Sequence, residues 1–332
     1  MVMNFSLLAH KYRSAIIQSR TSPISRVAIL LTFSLAAIAL IISVATKLIF
    51  LDLPNIMPLV LGVIVLDVLS QFTPQTKIVR AVQTILYGVL YLVITCFCGV
   101  LAAYAMQRFA LPLQDQFFAS ADTALGVNWF DIAYWVDSHP VIQKIFKLAY
   151  DSMSSQIALP LVALAFSNRL SEVRVYILAF AIALTFTTVV AGLLPAASPI
   201  ALVDRATFNV LRFTGATPLD HLMRLRAAAP MLLSGVPGGI ITFPSFHSTV
   251  AILTPLTLRS YPRIFVALLI LDAAMLGGCV IEGAHYLCDI LAGIGVAFCA
   301  YLLARRIIRV EDRSLPDYRN QSISPHSAAR VA

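Results

Sequence analysis

Charge is what this sequence has least of: Asp, Glu, Lys and Arg together make up 12% of its 332 residues, against 59% hydrophobic. Soluble globular chains carry about twice that charged fraction, so an ordinary water-soluble domain is excluded. Cysteine is scarce as well. The five that occur, Cys96, Cys98, Cys279, Cys288 and Cys299, lie in or beside apolar stretches and form no C-x-x-C pair. That excludes a disulfide-stapled secreted scaffold and leaves buried free thiols as the default. There is no internal repeat. The formal charge of +8 is explained by loop lysines and arginines, so nucleic acid is not expected as a partner.

What is present is a series of apolar blocks about twenty residues long, enough to cross ~30 Å of hydrocarbon as helix. The blocks are continuous rather than alternating, which selects helices over a barrel. The expectation is an all-α polytopic membrane protein with about eight transmembrane helices, over 27–49, 54–72, 80–106, 149–167, 174–195, 245–259, 263–281 and 285–304. The first block reads as a retained anchor, since no small-residue cleavage site follows it. Lys11, Arg13, Arg20, Arg26, Lys77, Arg80, Arg169, Arg174, Arg259, Arg263, Arg305, Arg306 and Arg309 all fall on one side of eight crossings. The positive-inside rule makes that side cytoplasmic, with both termini there.

Two long connections then face the other side. In 107–148, Trp129, Phe130, Tyr134 and Trp135 alternate with Asp115, Asp122, Asp131 and Asp137, which suits short helices lying in the headgroup layer, with a solvated loop as the alternative. The second connection, 196–244, is rich in Gly, Pro and Arg and runs into "FPSFH", residues 243–247. The tail after Arg309 is polar and reads as disordered.

Two of only six histidines fall at the same depth on that side. His247 stands at the outer start of the sixth span and His285 at the start of the eighth. His285 and Asp289 are four apart, hence on one helix face. An Asp at that offset can hold an imidazole Nδ1–H and leave Nε2 free to attack. Ser245 after Pro244 fits a helix N-cap, and a cap or interfacial role is the plain reading of either histidine alone. A metal site using His247, His285, Cys288 and Asp289 is the other chemical option, with no H-E-x-x-H or paired-cysteine spacing to support it; no metal or other cofactor is expected.

"FPSFH" followed by "EGAHYLCDILAG" resembles the second and third signature motifs of the type 2 phosphatidic acid phosphatase superfamily. The branch it resembles contains fungal inositol phosphorylceramide synthase and its bacterial relatives, and "DTALGVNWFDIAYWVDSHPVIQKIFKLAYDSMSSQ" resembles the segment before the core in that branch. The resemblance implies N-terminal transmembrane helices over 1–111, a catalytic domain over 112–304 with a six-helix-type lipid phosphatase core, and a cytoplasmic tail over 305–332. It implies a lipid phosphatase or phospho-headgroup transferase, inositolphosphotransferase-like, acting on a lipid phosphate or phospholipid. The expected location is the bacterial inner membrane, with the active site extracytoplasmic. His285 would be the nucleophile that forms a phosphohistidine, Asp289 its orienting partner and His247 the general acid. Ser245 and the helix N-terminus would hold phosphate oxygens, with Arg226 as first-motif phosphate ligand and Arg224 as runner-up.

Two departures stand out. Where the wider superfamily carries an arginine six residues before its third-motif histidine, this chain has Cys279, as the sphingolipid-synthase branch also lacks that arginine. Where relatives have Gly-Gly, it has Gly283–Ala284. A transporter or a catalytically silent relative is the competing function. Arg205 and Arg212 are weaker phosphate candidates, and Glu282 is placed to orient Arg226 or a histidine. Asp67 reads as a structural contact, Asp272 stays open, His221 has no evident partner, and His139 reads as interfacial.

Overall fold

The computed structural model describes residues 22–50, scattered positions of 58–72, then 76–202, 208, 216–227, 232–233 and 238–314. Asp67, Arg205, Arg212, most of the expected span 54–72 and the tail after Ser314 lie outside the described residues. Apart from two two-residue strands, Ile49–Phe50 and Leu232–Leu233, which pair in parallel, the described elements are helical. In chain order they are α1 (Arg26–Thr46), α2 (Lys77–Met106, extended by a 3-10 turn Gln107–Phe109), α3 (Asp115–Ala124), α4 (Trp129–Asp137) and α5 (Pro140–Asp151). Next come α6 (Met153–Phe166), α7 (Leu170–Leu193), a 3-10 turn Pro199–Leu202, α8 (Ala216–Arg226), α9 (Phe246–Leu258), α10 (Pro262–Ile281) and α11 (Leu287–Ser314).

Five of these, α1, α2 with its turn, α7, α10 and α11, are long and apolar enough to cross a membrane. Several such helices make this a multi-pass membrane protein. Two expected spans are shorter than the apolar runs suggest. The stretch 149–167 divides at Ser152, leaving a 14-residue α6, and 245–259 yields a 13-residue α9. The reason is local: residues 149–151 complete α5, while Ser245 caps α9.

Helix α7 is the axis of the bundle. Over 175–181 it is buried on all sides, with Tyr176, Ile177, Leu178 and Phe180 fully enclosed, which is why its sequence there is apolar all round. Helices α1 and α2 run parallel. Thr32 meets Tyr91 at 2.7 Å and Thr95 at 2.9 Å, Tyr91 donates to the Ala28 carbonyl at 2.6 Å, and farther along Leu48 packs with Tyr104. Lipid offers helices little hydrophobic reason to associate, so such bonds, worth about 0.6 kcal/mol each, help set the pairing.

The bundle has two chemically different ends. At one, Arg174 pairs with Glu311 at 2.7 Å and with Asp312, Arg169 lies over the Tyr261 ring, and Arg259 and Arg305 flank the Tyr301 ring. At the other, α3, α4, α5 and α8 gather around the starts of α9 and α11. Exposed Phe117, Tyr134, Trp135, Val141, Ile145 and Leu148 give these short helices an apolar outer surface.

Candidate active site

The starts of α9 and α11 are tied together by backbone. Ser245 N–H donates to the Asp289 carbonyl at 3.0 Å, and Thr249 Oγ1 lies 2.9 Å from the Gly293 carbonyl oxygen. A Cβ on Gly293 would stand 2.1 Å from Ser248 Oγ and 2.3 Å from the Ser245 carbonyl oxygen. Only glycine admits so close a crossing. Ser245 is fully buried and caps α9, its Oγ accepting from Ser248 N–H at 3.4 Å. The first two N–H groups of that helix, on Phe246 and His247, have no partner among the described residues.

His285 reaches the same place by a fold-back. After α10 ends, its N–H donates to the Cys279 carbonyl one turn below, at 3.1 Å. The ring is 4% exposed and Asp289 not at all. His285 Nδ1 faces Asp289 Oδ2 at 3.4 Å, and the same oxygen accepts from Tyr286 N–H at 2.9 Å. An imidazole held at Nδ1 presents Nε2. Gly283 lies against that ring: a Cβ there would be 2.6 Å from His285 Cδ2 and 2.8 Å from the Cys279 carbonyl oxygen. Ala284, by contrast, is buried at φ 49°, in the left-handed region. The close backbone approach therefore falls on Gly283, which this chain retains, and the alanine bears only a left-handed backbone costing about 1 kcal/mol.

His247 sits within electrostatic range of His285. Its ring stacks on Tyr150 of α5, centroids 3.9 Å apart and planes 12° from parallel. Cys279 is fully buried beside Ser245. The structure thus brings together His247, His285, Asp289 and Ser245. Cys288 turns its thiol to the Phe118 carbonyl, 3.8 Å away, and to Asp289 Oδ1 at 3.9 Å. Among the described residues no three His, Cys, Asp or Glu side chains gather as a metal would require.

The arginine candidates separate. Arg226 ends α8, half-buried, with Nη2 donating to the Ala110 carbonyl at 3.5 Å. Burial pulls its guanidinium below the usual value and the charge of Asp115 pushes it back up. Asp115 in turn accepts from Tyr286 O–H at 3.0 Å and from Ala197 N–H at 2.9 Å, which links Arg226 to the residue after His285. Arg224 is 53% exposed and faces Asp220 of its own helix at 4.0 Å. Glu282 is buried at the end of α10. It accepts from Gln143 at 2.7 Å, and burial pushes its carboxyl above the usual range while Gln143 and Lys147 oppose the rise. Asp272 lies buried in α10 beside Gln156 of α6. His221 does have a partner, Tyr104 O–H at 3.0 Å from its Nδ1. His139 stacks on Trp135 at the exposed side of the short helices.

Three contributions escape a reading of the sequence by motif. Asp122 of α3 is buried and caps α11, accepting from Leu287 N–H at 2.7 Å and Cys288 N–H at 2.9 Å. Tyr150 carries His247. Trp129 Nε1–H donates to the Val280 carbonyl at 2.8 Å and pins α4 to the end of α10. Helix α8 was itself hidden in an Arg- and Pro-rich connection, although Leu219, Leu222 and Leu225 recur every three residues and bury the last two.

Fold and site define a multi-pass helical membrane protein that closes one end around a histidine–carboxylate pair. The chain belongs to the PAP2 superfamily, whose family model matches residues 116–303, more than half of its length. Members are phosphatases, so this is a membrane enzyme of the lipid phosphatase type. No curated protein and no solved structure matches the chain.

Proposed function

We propose that the protein transfers a phosphoryl or phospho-headgroup from a lipid through a phosphohistidine on His285. The observation that carries this is the convergence of His285, backed by Asp289, with His247 at the N-terminus of α9. His285 Nε2 attacks phosphorus, and the bond from phosphorus to the leaving oxygen breaks. A proton from His247 passes to that oxygen. Ser245, the free N–H groups of Phe246 and His247, and Arg226 hold the non-bridging oxygens. In the second step a water or a lipid hydroxyl gives its proton to His247 and attacks, and the phosphorus–nitrogen bond breaks. Asp289 keeps His285 in the reactive tautomer throughout.

The acceptor decides between hydrolysis and headgroup transfer. Resemblance of "FPSFH" and "EGAHYLCDILAG" to the sphingolipid-synthase branch, with Cys279 in place of the arginine, favours transfer of a group such as phosphoinositol. The site end faces away from the cytoplasm, because Arg169, Arg174, Arg259 and Arg305 collect at the opposite end.

The test is turnover by the purified full-length chain on phosphatidic acid, and on labelled phosphatidylinositol with and without ceramide or diacylglycerol. His285→Ala is expected to lower turnover by about 10³-fold or more. Undiminished turnover in that variant overturns the mechanism, and no turnover on any phosphate-bearing lipid favours a silent relative or a transporter.

A further inference from the structure

Arg108 lies outside the region matched by the family, in the turn that ends α2, and carries no motif. Yet among the described residues it is the most buried arginine at the site end, 9% exposed. Its Nη1 donates to the Leu225 carbonyl at 3.3 Å, while Nε and Nη2 are buried with no partner among the described residues. Those two nitrogens form one edge of the guanidinium fork, the edge that grips two oxygens of a carboxylate or phosphate at once. Across from it, Arg226 is anchored in mirror fashion. Its Nη2 reaches the Ala110 carbonyl, and its Nη1 is likewise buried without a partner.

Each arginine therefore holds on to the backbone beside the other, and three nitrogens between them are unspent. No carboxylate comes within salt-bridge distance of either guanidinium among the described residues. Asp115 is the acid whose charge reaches Arg226, and both its oxygens are engaged by Tyr286 and Ala197. The two segments are also clamped to each other. Tyr104 O–H bonds the Gly238 carbonyl at 3.0 Å and meets His221 Nδ1, and Gln107 donates to the Ala191 carbonyl at 3.2 Å. A buried and a half-buried cation, each with buried free donors on a braced frame, raise the energy of the empty protein. An anion would remove that cost.

We propose that Arg108 and Arg226 together form a two-guanidinium site for a phosphate group, with Arg108 supplying a bidentate grip from outside the family-matched domain. This rests on the phosphoryl-transfer reading for its ligand, and deepens it by adding a binding residue to the substrate side. A structural arginine and a binding arginine differ in what their loss does. Replacing a structural one destabilises the fold; replacing this one by Met leaves a side chain of similar length and removes an uncompensated charge.

The experiment uses the full-length chain in detergent, with inorganic phosphate and with micelles containing phosphatidic acid as separate probes. Thermal unfolding and equilibrium binding are measured for the unaltered chain, Arg108→Met, Arg108→Lys, Arg174→Met and His285→Ala. Both Arg108 variants are expected to bind at least one probe about tenfold or more weakly, the Met variant without a lower unfolding temperature. Arg174→Met should keep the affinity. Weakened binding of inorganic phosphate supports a site for phosphate from either source, and weakened binding of the lipid alone supports one specific to lipid phosphate. Arg108→Met and Arg108→Lys binding both probes as the unaltered chain does overturns the proposal. So does an Arg108→Met that unfolds earlier while Arg108→Lys binds normally. Retained turnover in His285→Ala, with phosphate binding still sensitive to Arg108, removes the mechanism and leaves the anion site standing.

Discussion

The two ends of the bundle handle arginine in opposite ways. At the end opposite the histidines, Arg174 is even more buried than Arg108, but it is met by Glu311 and Asp312 from the last turns of α11. Its neighbours Arg169, Arg259 and Arg305 lie on tyrosine rings. At the site end, the hydrogen bonds of Arg108 and Arg226 among the described residues go to backbone carbonyls, and the nearby acids are committed elsewhere: Asp115 to Tyr286 and Ala197, Asp122 to the start of α11, Asp289 to His285 and Tyr286. Arg174 is thus neutralised by two carboxylates, with only its Nε lacking a described partner, whereas no carboxylate among the described residues pairs with Arg108 or Arg226.

That contrast can be strained from both ends. After His285→Ala, the largest effect is expected from Gly283→Ala, whose Cβ must displace the His285 ring or the Cys279 carbonyl. A shift of this kind should lower turnover by about 10²-fold with little change in the unfolding temperature. Asp122→Ala should come next. It strips two charge-assisted caps from α11 and should cost about 3 kcal/mol in chemical or thermal unfolding, with turnover falling as the His285 segment loosens. Arg174→Met should cost about 1–2 kcal/mol, because Glu311 and Asp312 are partly exposed and can turn to water. Turnover per folded molecule should not change. Loss of turnover in Arg174→Met, or full activity in Gly283→Ala, would erase the distinction between the two ends.

The parts legible in the sequence are local. A His–Asp pair four residues apart, a serine before an apolar run and blocks of membrane length each declare themselves within a few residues. Their structural counterparts are the His285–Asp289 contact, the Ser245 cap and the five long helices. What was hidden is distant. Asp122 caps an element 165 residues away, Tyr104 meets His221 across 117, and Tyr150 stacks on a histidine nearly a hundred positions later. A residue whose partner is so remote has no periodicity to betray it. The acidic residues of 107–148 also looked like polar company for interfacial aromatics, and the exposed rings fit that. Yet Asp115 and Asp122 face inward, because the start of α11 presents backbone donors to Asp122, and Tyr286 O–H and Ala197 N–H meet Asp115.

Two helices begin at this site, and a helix start behaves like roughly half a positive charge. Asp122 cancels one of them from within the chain, acting as a built-in counter-ion for α11. The start of α9 has only a neutral serine on it. An anion approaching the site therefore finds one attractive pole and one already occupied. On the phosphoryl-transfer reading, it is drawn against α9 and kept off the segment that carries His285, so the phosphorus keeps one face turned toward the imidazole. Asp122, which need never meet the substrate, would decide by occupying one pole which way the substrate lies.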